Sequence, residues 1–216
     1  MSDGDTSDRT PTGLMIGVPT MGTVHTRLTA RLLEWARAVP RDRLTLHFTE
    51  HLVPHDRARN QLVEHFLLRT DASHLLMIDS DMIPPLDAPD RLAAHGKDFV
   101  TAMTPVPRVD PANGRTIVVD FCFADTGAGE ADAQAAPLPR NSGLQRISRC
   151  GTGCLMLHRT IFERLTPPWF RFVYDDELTA IRLSEDVEFC DRLRAAGVEL
   201  WADTGVVCRH QRTVLL

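Results

Sequence analysis

The stretch "HLLMIDSDMIPP", His74 to Pro85, decides how the chain is read. Leu75 to Ile78 are apolar without alternation, the pattern of a strand covered on both faces. Asp79, Ser80 and Asp81 follow at once, and Pro84-Pro85 cannot continue a central strand. A buried strand therefore ends in two carboxylates one residue apart.

The flanking chain gives that strand its neighbours. Leu14 to Val18 reads as a buried strand stopped by Pro19, and Arg27 to Val39 carries Leu28, Leu32, Trp35 and Val39 at helical spacing. Leu44 to Phe48 is a second strand and Asp56 to Leu68 a second helix, so the opening stretch is the third strand of an alternating series. Such alternation predicts an α/β fold, a Rossmann-like, mostly parallel sheet with helices on both faces. Beyond it, a short helix over Asp87 to Gly96 and strands over Phe99 to Met103 and Thr116 to Phe123 are expected. Residues 124–143, rich in Ala, Gly, Pro and Asp, are expected to form a flexible loop. "GLQRIS" and "CLMLH" then flank the turn Gly151-Thr152-Gly153, and a short helix spans Thr160 to Leu165. A helix from Ser184 to Ala196 closed by Gly197 and the strands "VELWA" and "GVVCRH" finish the pattern. The expected organisation is a polar, disordered tail over 1–12 and one domain over 13–216.

Composition excludes several classes. A formal net charge of −5 argues against general nucleic-acid binding through phosphate contacts. No apolar run approaches the roughly 20 residues of a membrane helix, and the acidic, polar N-terminus is unlike a signal peptide, so no membrane insertion and a cytoplasmic location are expected. Five cysteines point to reduced thiols. Cys150, Cys154, Cys208 and His210 offer four zinc donors, but their C-x3-C and C-x-H spacings fit no common zinc finger, and free cysteines are ordinarily small core residues.

In an open parallel sheet, ligands sit in the crevice at the carboxyl ends of the strands, where Asp79 and Asp81 fall. Two adjacent carboxylates suit a hard divalent cation, Mg²⁺ or Mn²⁺, although Asp and Ser also simply begin turns. Arg57, Arg59 and Asn60 stand on the first turns of the second helix, where arginine and the helix N-terminus could hold a diphosphate, or where they could be ordinary surface residues. Glu185 and Asp186 follow Ser184, a good N-cap. The macrodipole alone explains acids there, while the functional alternative aims one into the crevice as a general base. His210 ends the last strand as a possible metal nitrogen or a structural histidine, and Trp169 is either a stacking platform or a core anchor.

Taken in order, these elements resemble the nucleotide-sugar-dependent glycosyltransferases of the GT-A fold, in a short form of the inverting family-2 type. The likeness runs from Leu14 to His210: a first strand ending in Pro19-Thr20, a helix with "ARN" (Ala58 to Asn60), the D-x-D element Asp79-Ser80-Asp81, the turn "GTG", the Glu185-Asp186 pair in "SEDVEFCDRLRAAG", and a C-terminal His210. Thr49-Glu50 stands where the family carries an aspartate after the second strand. The resemblance implies a nucleoside-diphosphate-sugar donor bound by Pro19, Thr20, Arg57, Arg59, Asn60, Asp79 and Ser80. It implies Mn²⁺ or Mg²⁺ on Asp79, Asp81 and His210. Asp186 would be the base and Glu185 would position donor or acceptor, with Gly151, Thr152 and Trp169 on the sugar or acceptor side. The acceptor could be a lipid, glycan, small molecule, protein or modified nucleic acid. A binding module without catalysis and a nucleotidyltransferase are the alternatives. The latter ordinarily carries a glycine-rich, basic phosphate loop, whereas "PTMGTVHTR" has one glycine and one arginine.

Overall fold

The computed structural model describes residues 12–110, 112–125 and 138–211; the expected tail and the middle of the expected loop at 124–143 lie outside the described residues. The opening stretch forms the strand β3 (His74–Ile78), every residue of which is buried. Its alternate side chains serve two cores. Leu75 and Met77 join Met15, Leu62, Phe66, Phe99 and Phe189 on one face, and Leu76 and Ile78 join Ile16, Val18, Leu28, Val100 and Met156 on the other. That double burial is the reason the strand is apolar without a break.

The first layer is built by β1 (Leu14–Thr20), α1 (Thr26–Ala38), β2 (Leu44–Glu50) and α2 (His55–Arg69), with β1 parallel to both β2 and β3. Beyond β3 come β4 (Met82–Ile83), α3 (Ala88–Ala94), β5 (Phe99–Met103), β6 (Pro105–Val109), β7 (Thr116–Asp120) and β8 (Cys122–Ala124). The chain ends with β9 (Leu144–Cys150), β10 (Cys154–His158), a 3-10 helix (Arg159–Arg164), β11 (Val173–Tyr174), β12 (Ile181–Leu183), α4 (Glu185–Ala195), β13 (Leu200–Val207) and β14 (Arg209–His210). Eight strands make the central sheet in the order β2-β1-β3-β10-β5-β13-β9-β8. Strands β2, β1, β3, β5, β13 and β8 run one way; β10 and β9 run the other. The protein is thus α/β, with α2 and α4 packed on one face and α1 and α3 on the other.

Local departures from the sequence expectation have local causes. The expected strand Thr116 to Phe123 is divided at Phe121, so that β7 pairs with β6 in a separate hairpin while β8 joins the sheet. The prolines of β6 concealed it, yet Pro105 and Pro107 sit in the ladder at positions where no N–H is required. The two expected C-terminal strands are instead β13, irregular between Asp203 and Val207, and the short β14, which pairs with β4. Ser184 is the N-cap residue of α4, but its side chain makes no capping hydrogen bond.

Two polar residues of α2, buried Arg59 and half-buried Asn60, fasten the elements around the site. Asn60 brackets one backbone unit, its amide donating to the Phe170 carbonyl at 2.7 Å and its Oδ1 accepting from the Phe170 N–H at 3.1 Å. Arg59, 5% exposed, donates from Nη1 to Asp79 Oδ1 at 3.0 Å and from Nε to Glu185 Oε1 at 3.2 Å. Burial alone would lower its pKa; the two carboxylates outweigh that and raise it above the ordinary arginine value. One guanidinium on α2 therefore ties the end of β3 to the start of α4. Replacing it by an apolar residue leaves Glu185, itself 5% exposed, without a counter-charge. Arg59→Met should lose about 3–5 kcal/mol in urea unfolding, with partial recovery when Glu185→Gln and Asp79→Asn are added. A loss under about 1 kcal/mol would mean the pairs behave like surface ion pairs.

Candidate active-site cleft

A cleft of about 420 Å³ opens where β1, β3 and β5 end and α2 and α4 begin. The Asp79-Ser80-Asp81 turn forms its floor, and each residue is fixed by a different segment. The Asp79 N–H donates to the Gly153 carbonyl at 3.1 Å, the Ser80 carbonyl accepts from the His25 N–H at 3.0 Å, and the Asp81 carbonyl accepts from the Gln211 N–H at 2.9 Å. The Asp79 carbonyl accepts from the Met82 N–H and closes the turn. The register of β14 on β4 sets His210 opposite Met82, which brings its ring to Asp81.

His210 Nδ1 lies 2.7 Å from the Pro105 carbonyl and Nε2 lies 3.0 Å from Asp81 Oδ2. A carbonyl only accepts, so Nδ1 carries the hydrogen. Nε2 then faces the carboxylate either as a protonated donor or as a lone pair that needs a cation between the two. Asp79 is turned the other way, onto Arg59. Among the described residues no three His, Cys, Asp or Glu side chains form a ready cation cluster, so the expected trio resolves into one pair, Asp81 with His210, and a separate Asp79. An oxygen and an imidazole nitrogen at contact distance fit a Mn²⁺- or Mg²⁺-type ion as a partial ligand set that leaves positions for ligand oxygens.

The acidic pair at the start of α4 divides its tasks. Glu185 faces inward to Arg59 and does not line the cleft, whereas Asp186 does. Asp186 Oδ1 accepts from the Ser184 hydroxyl and from the Val187 N–H, the latter at 2.8 Å. That leaves Oδ2 directed across Gly151, where a Cβ would lie 3.6 Å from it and 3.2 Å from the Phe121 ring. A Cβ on Gly153 would meet Met82 and Thr104 at 3.1 Å. These glycines are there for space. Gly22, after β1, adds conformation to space, with φ +94° and a virtual Cβ 2.4 Å from the His51 ring.

Pro19, Thr20, Arg59, Asp79, Ser80, Asp81, Gly151, Thr152, Asp186 and His210 share this cleft. The Thr20 hydroxyl donates to the Thr23 carbonyl, and the Thr152 hydroxyl is buried without a hydrogen-bond partner among the described residues. Arg57, Asn60 and Trp169 do not line it. Arg57 reaches back to the Val53 carbonyl, Asn60 holds Phe170, and Trp169 donates to the Phe162 carbonyl and packs edge-on against the Phe162 ring. Sequence reasoning missed Met21, Leu52 and His55 at the β1 side and Thr104, Val106 and Phe121 at the β5 side. Met21, Leu52, Thr104 and Phe121 lie just past strand ends, which could have signalled them, whereas His55 opens α2 and Val106 lies within β6. The cysteines are all free and buried. Burial and Cys190 push the Cys150 thiol up, and a hydrogen bond with Cys208 together with burial does the same to Cys154, and among the described residues no three His, Cys, Asp or Glu side chains gather into a group that could hold a metal.

No protein-family model and no curated protein matches this sequence. Solved structures do match its fold. A197 from STIV shares 15% identity over 93% of this chain and 86% of its own, with a TM-score of 0.61. GalNAc-T7, solved with UDP, GalNAc and Mn²⁺, shares 13% identity over 92% of this chain, with a TM-score of 0.52; this chain spans only 43% of it. Likeness at that identity concerns architecture: the eight-stranded sheet with helices on both faces is a GT-A-like α/β fold.

Proposed function

We propose that this protein is a metal-dependent, inverting glycosyltransferase that moves a sugar from a nucleoside-diphosphate sugar to an acceptor hydroxyl. The observation that carries the reading is the division within one cleft between a cation-fitting pair, Asp81 with His210, and a helix-start carboxylate, Asp186, which lines the cleft, with its two hydrogen bonds on Oδ1 and its Oδ2 beside Gly151. A binding module has no need of the second feature. The GT-A-like fold supports the same reading, and among the described residues no helix is long and apolar enough to cross a membrane.

In this proposal Asp81 and His210 hold the Mn²⁺ or Mg²⁺, which when bound neutralises charge on the diphosphate leaving group. The nucleotide lies against Pro19 and Thr20 at the β1 side, with Met21, Leu52 and His55 as apolar and aromatic surface that the sequence did not single out. Asp79 and Ser80 face the donor, and Arg59 acts indirectly by holding Asp79 and Glu185 in place. Gly151 and Thr152 border the sugar. Asp186 Oδ2 accepts the proton of the acceptor hydroxyl as its oxygen attacks the anomeric carbon from the side opposite the leaving group, which inverts that centre. The Ser184 hydroxyl and the Val187 N–H, both on Oδ1, fix which oxygen performs this step.

Two measurements test the assignment. Asp186→Asn should leave the melting temperature and nucleoside-diphosphate affinity nearly unchanged while sugar transfer, or slow donor hydrolysis as its proxy, falls roughly 10²- to 10⁴-fold. Hydrolysis equal to wild type would remove Asp186 from the chemistry. Calorimetry with UDP and other nucleoside diphosphates should show Mn²⁺-stimulated binding that Asp81→Ala and His210→Ala each weaken by about tenfold or more. Binding indifferent to EDTA and to both substitutions would exclude the metal role.

A further inference from the structure

Three threonines line the cleft, and their hydroxyls have different fates. That of Thr20 donates to the Thr23 carbonyl, and that of Thr152 is closed off from solvent. Thr104 differs from both. The residue is 3% exposed, its hydroxyl has no hydrogen-bond partner among the described residues, and that hydroxyl opens on the cleft. Thr101, on the same stretch of chain, shows the ordinary arrangement: its buried hydroxyl donates to the Cys154 carbonyl at 3.1 Å. A polar atom taken out of bulk water and left unpaired costs stability that a valine of the same shape does not, so folding alone gives no reason for the Thr104 hydroxyl.

The surroundings of Thr104 fix where that hydroxyl points. Thr104 follows β5, and its carbonyl accepts from the Phe121 N–H at 3.3 Å, while the Phe121 carbonyl accepts from the Gly151 N–H at 3.0 Å. Thr104, Phe121 and Gly151 are thereby bonded side by side. The two branches of the threonine face the two glycines of the GTG turn. A Cβ on Gly153 would lie 3.1 Å from the Thr104 methyl carbon, whereas a Cβ on Gly151 would lie 3.9 Å from its Oγ1. A β-branched side chain is stiff at χ1, and the contact of the methyl with the Gly153 side keeps the hydroxyl on the Gly151 side. The space over Gly151 is therefore bounded by three groups, with the Phe121 ring 3.2 Å, Asp186 Oδ2 3.6 Å and Thr104 Oγ1 3.9 Å from the virtual Cβ. One is apolar, one can accept a proton and one can donate a hydrogen bond.

We infer that the Thr104 hydroxyl holds the attacking oxygen, donating a hydrogen bond to it as it approaches the anomeric carbon. This inference rests on the proposed glycosyltransferase reading and adds to it a group which that reading leaves unused. The oxygen of an alcohol or of water offers a hydrogen and two lone pairs. Over Gly151 it gives the hydrogen to Asp186 Oδ2, accepts from Thr104 with one lone pair and keeps the other for the anomeric carbon. Thr104 thus removes the rotation that a single contact with Asp186 leaves free. As the new carbon–oxygen bond forms, the bond from that carbon to the diphosphate breaks with its electron pair on the leaving group. The attacking oxygen's proton passes to Asp186, and Thr104 keeps its own.

Slow donor hydrolysis, in which water takes the acceptor's place, tests this without an identified acceptor. The full chain with Mn²⁺ is assayed on whichever of a panel of nucleoside-diphosphate sugars it hydrolyses. Thr104→Val keeps the methyl on the Gly153 side and removes the donor. Its kcat should fall about tenfold while the melting temperature does not fall and the calorimetric affinity for the matching nucleoside diphosphate is unchanged. Thr104→Ser, which retains the hydroxyl, should recover most of that rate. Should the valine variant fold poorly, Thr104→Ser against Thr104→Ala gives the same comparison, the former about tenfold faster. Wild-type kcat in Thr104→Val, a loss carried by nucleoside-diphosphate affinity instead of kcat, or Thr104→Ser no faster than Thr104→Ala overturns the inference and leaves the glycosyltransferase reading intact. No hydrolysis of any donor by the wild-type chain overturns that reading and the inference with it.

Discussion

A single buried guanidinium holds the cleft together. Arg59 comes from α2, Asp79 from the end of β3 and Glu185 from the first turn of α4, three elements far apart in sequence. Two carboxylates at the edge of an apolar core would repel each other and lose hydration; the arginine between them removes both penalties at once. It also settles which acids remain available. Glu185 and one oxygen of Asp79 are committed to the arginine, and Asp79, Asp81 and Asp186 line the cleft.

The remaining constraints act through backbone. The floor of the cleft is pinned by the loop after β1, the glycine turn before β10 and the residue after β14, so a change in any of these strands would move the carboxylates. Close packing replaces conformational freedom as the reason for glycine at 151 and 153, because a methyl group there would press on Phe121, Met82 or Thr104. Rigid strand ends carry the cleft's polar residues, and the β6–β7 hairpin borders the same cleft through Val106 and Phe121.

Much of this was legible in the chain. The unbroken apolar run of β3 announced burial on both faces, and the carboxylates after it marked the end of the sheet at which the cleft opens. The role of Arg59 was not legible, since helical spacing places a residue on a face but does not name its partners 20 and 126 positions away. Asn60 and Trp169 misled for the same reason: both are polar or aromatic residues near the site in sequence whose hydrogen bonds go to Phe170 and Phe162 instead. Pairings two residues long, such as β4 with β14, have no periodicity to detect, yet that one delivers His210 to Asp81. The β6 strand hid behind its prolines, which are tolerated because their positions are the non-bonded ones.

The central claim concerns which bond the cleft breaks, and product analysis reads that directly. The chain would be incubated with Mn²⁺ and a panel of nucleoside-diphosphate sugars, and the products separated by mass spectrometry. The account predicts a nucleoside diphosphate together with free or transferred sugar, from cleavage between the anomeric carbon and the diphosphate. Formation of pyrophosphate or of a nucleoside monophosphate, or an unchanged panel, would contradict it.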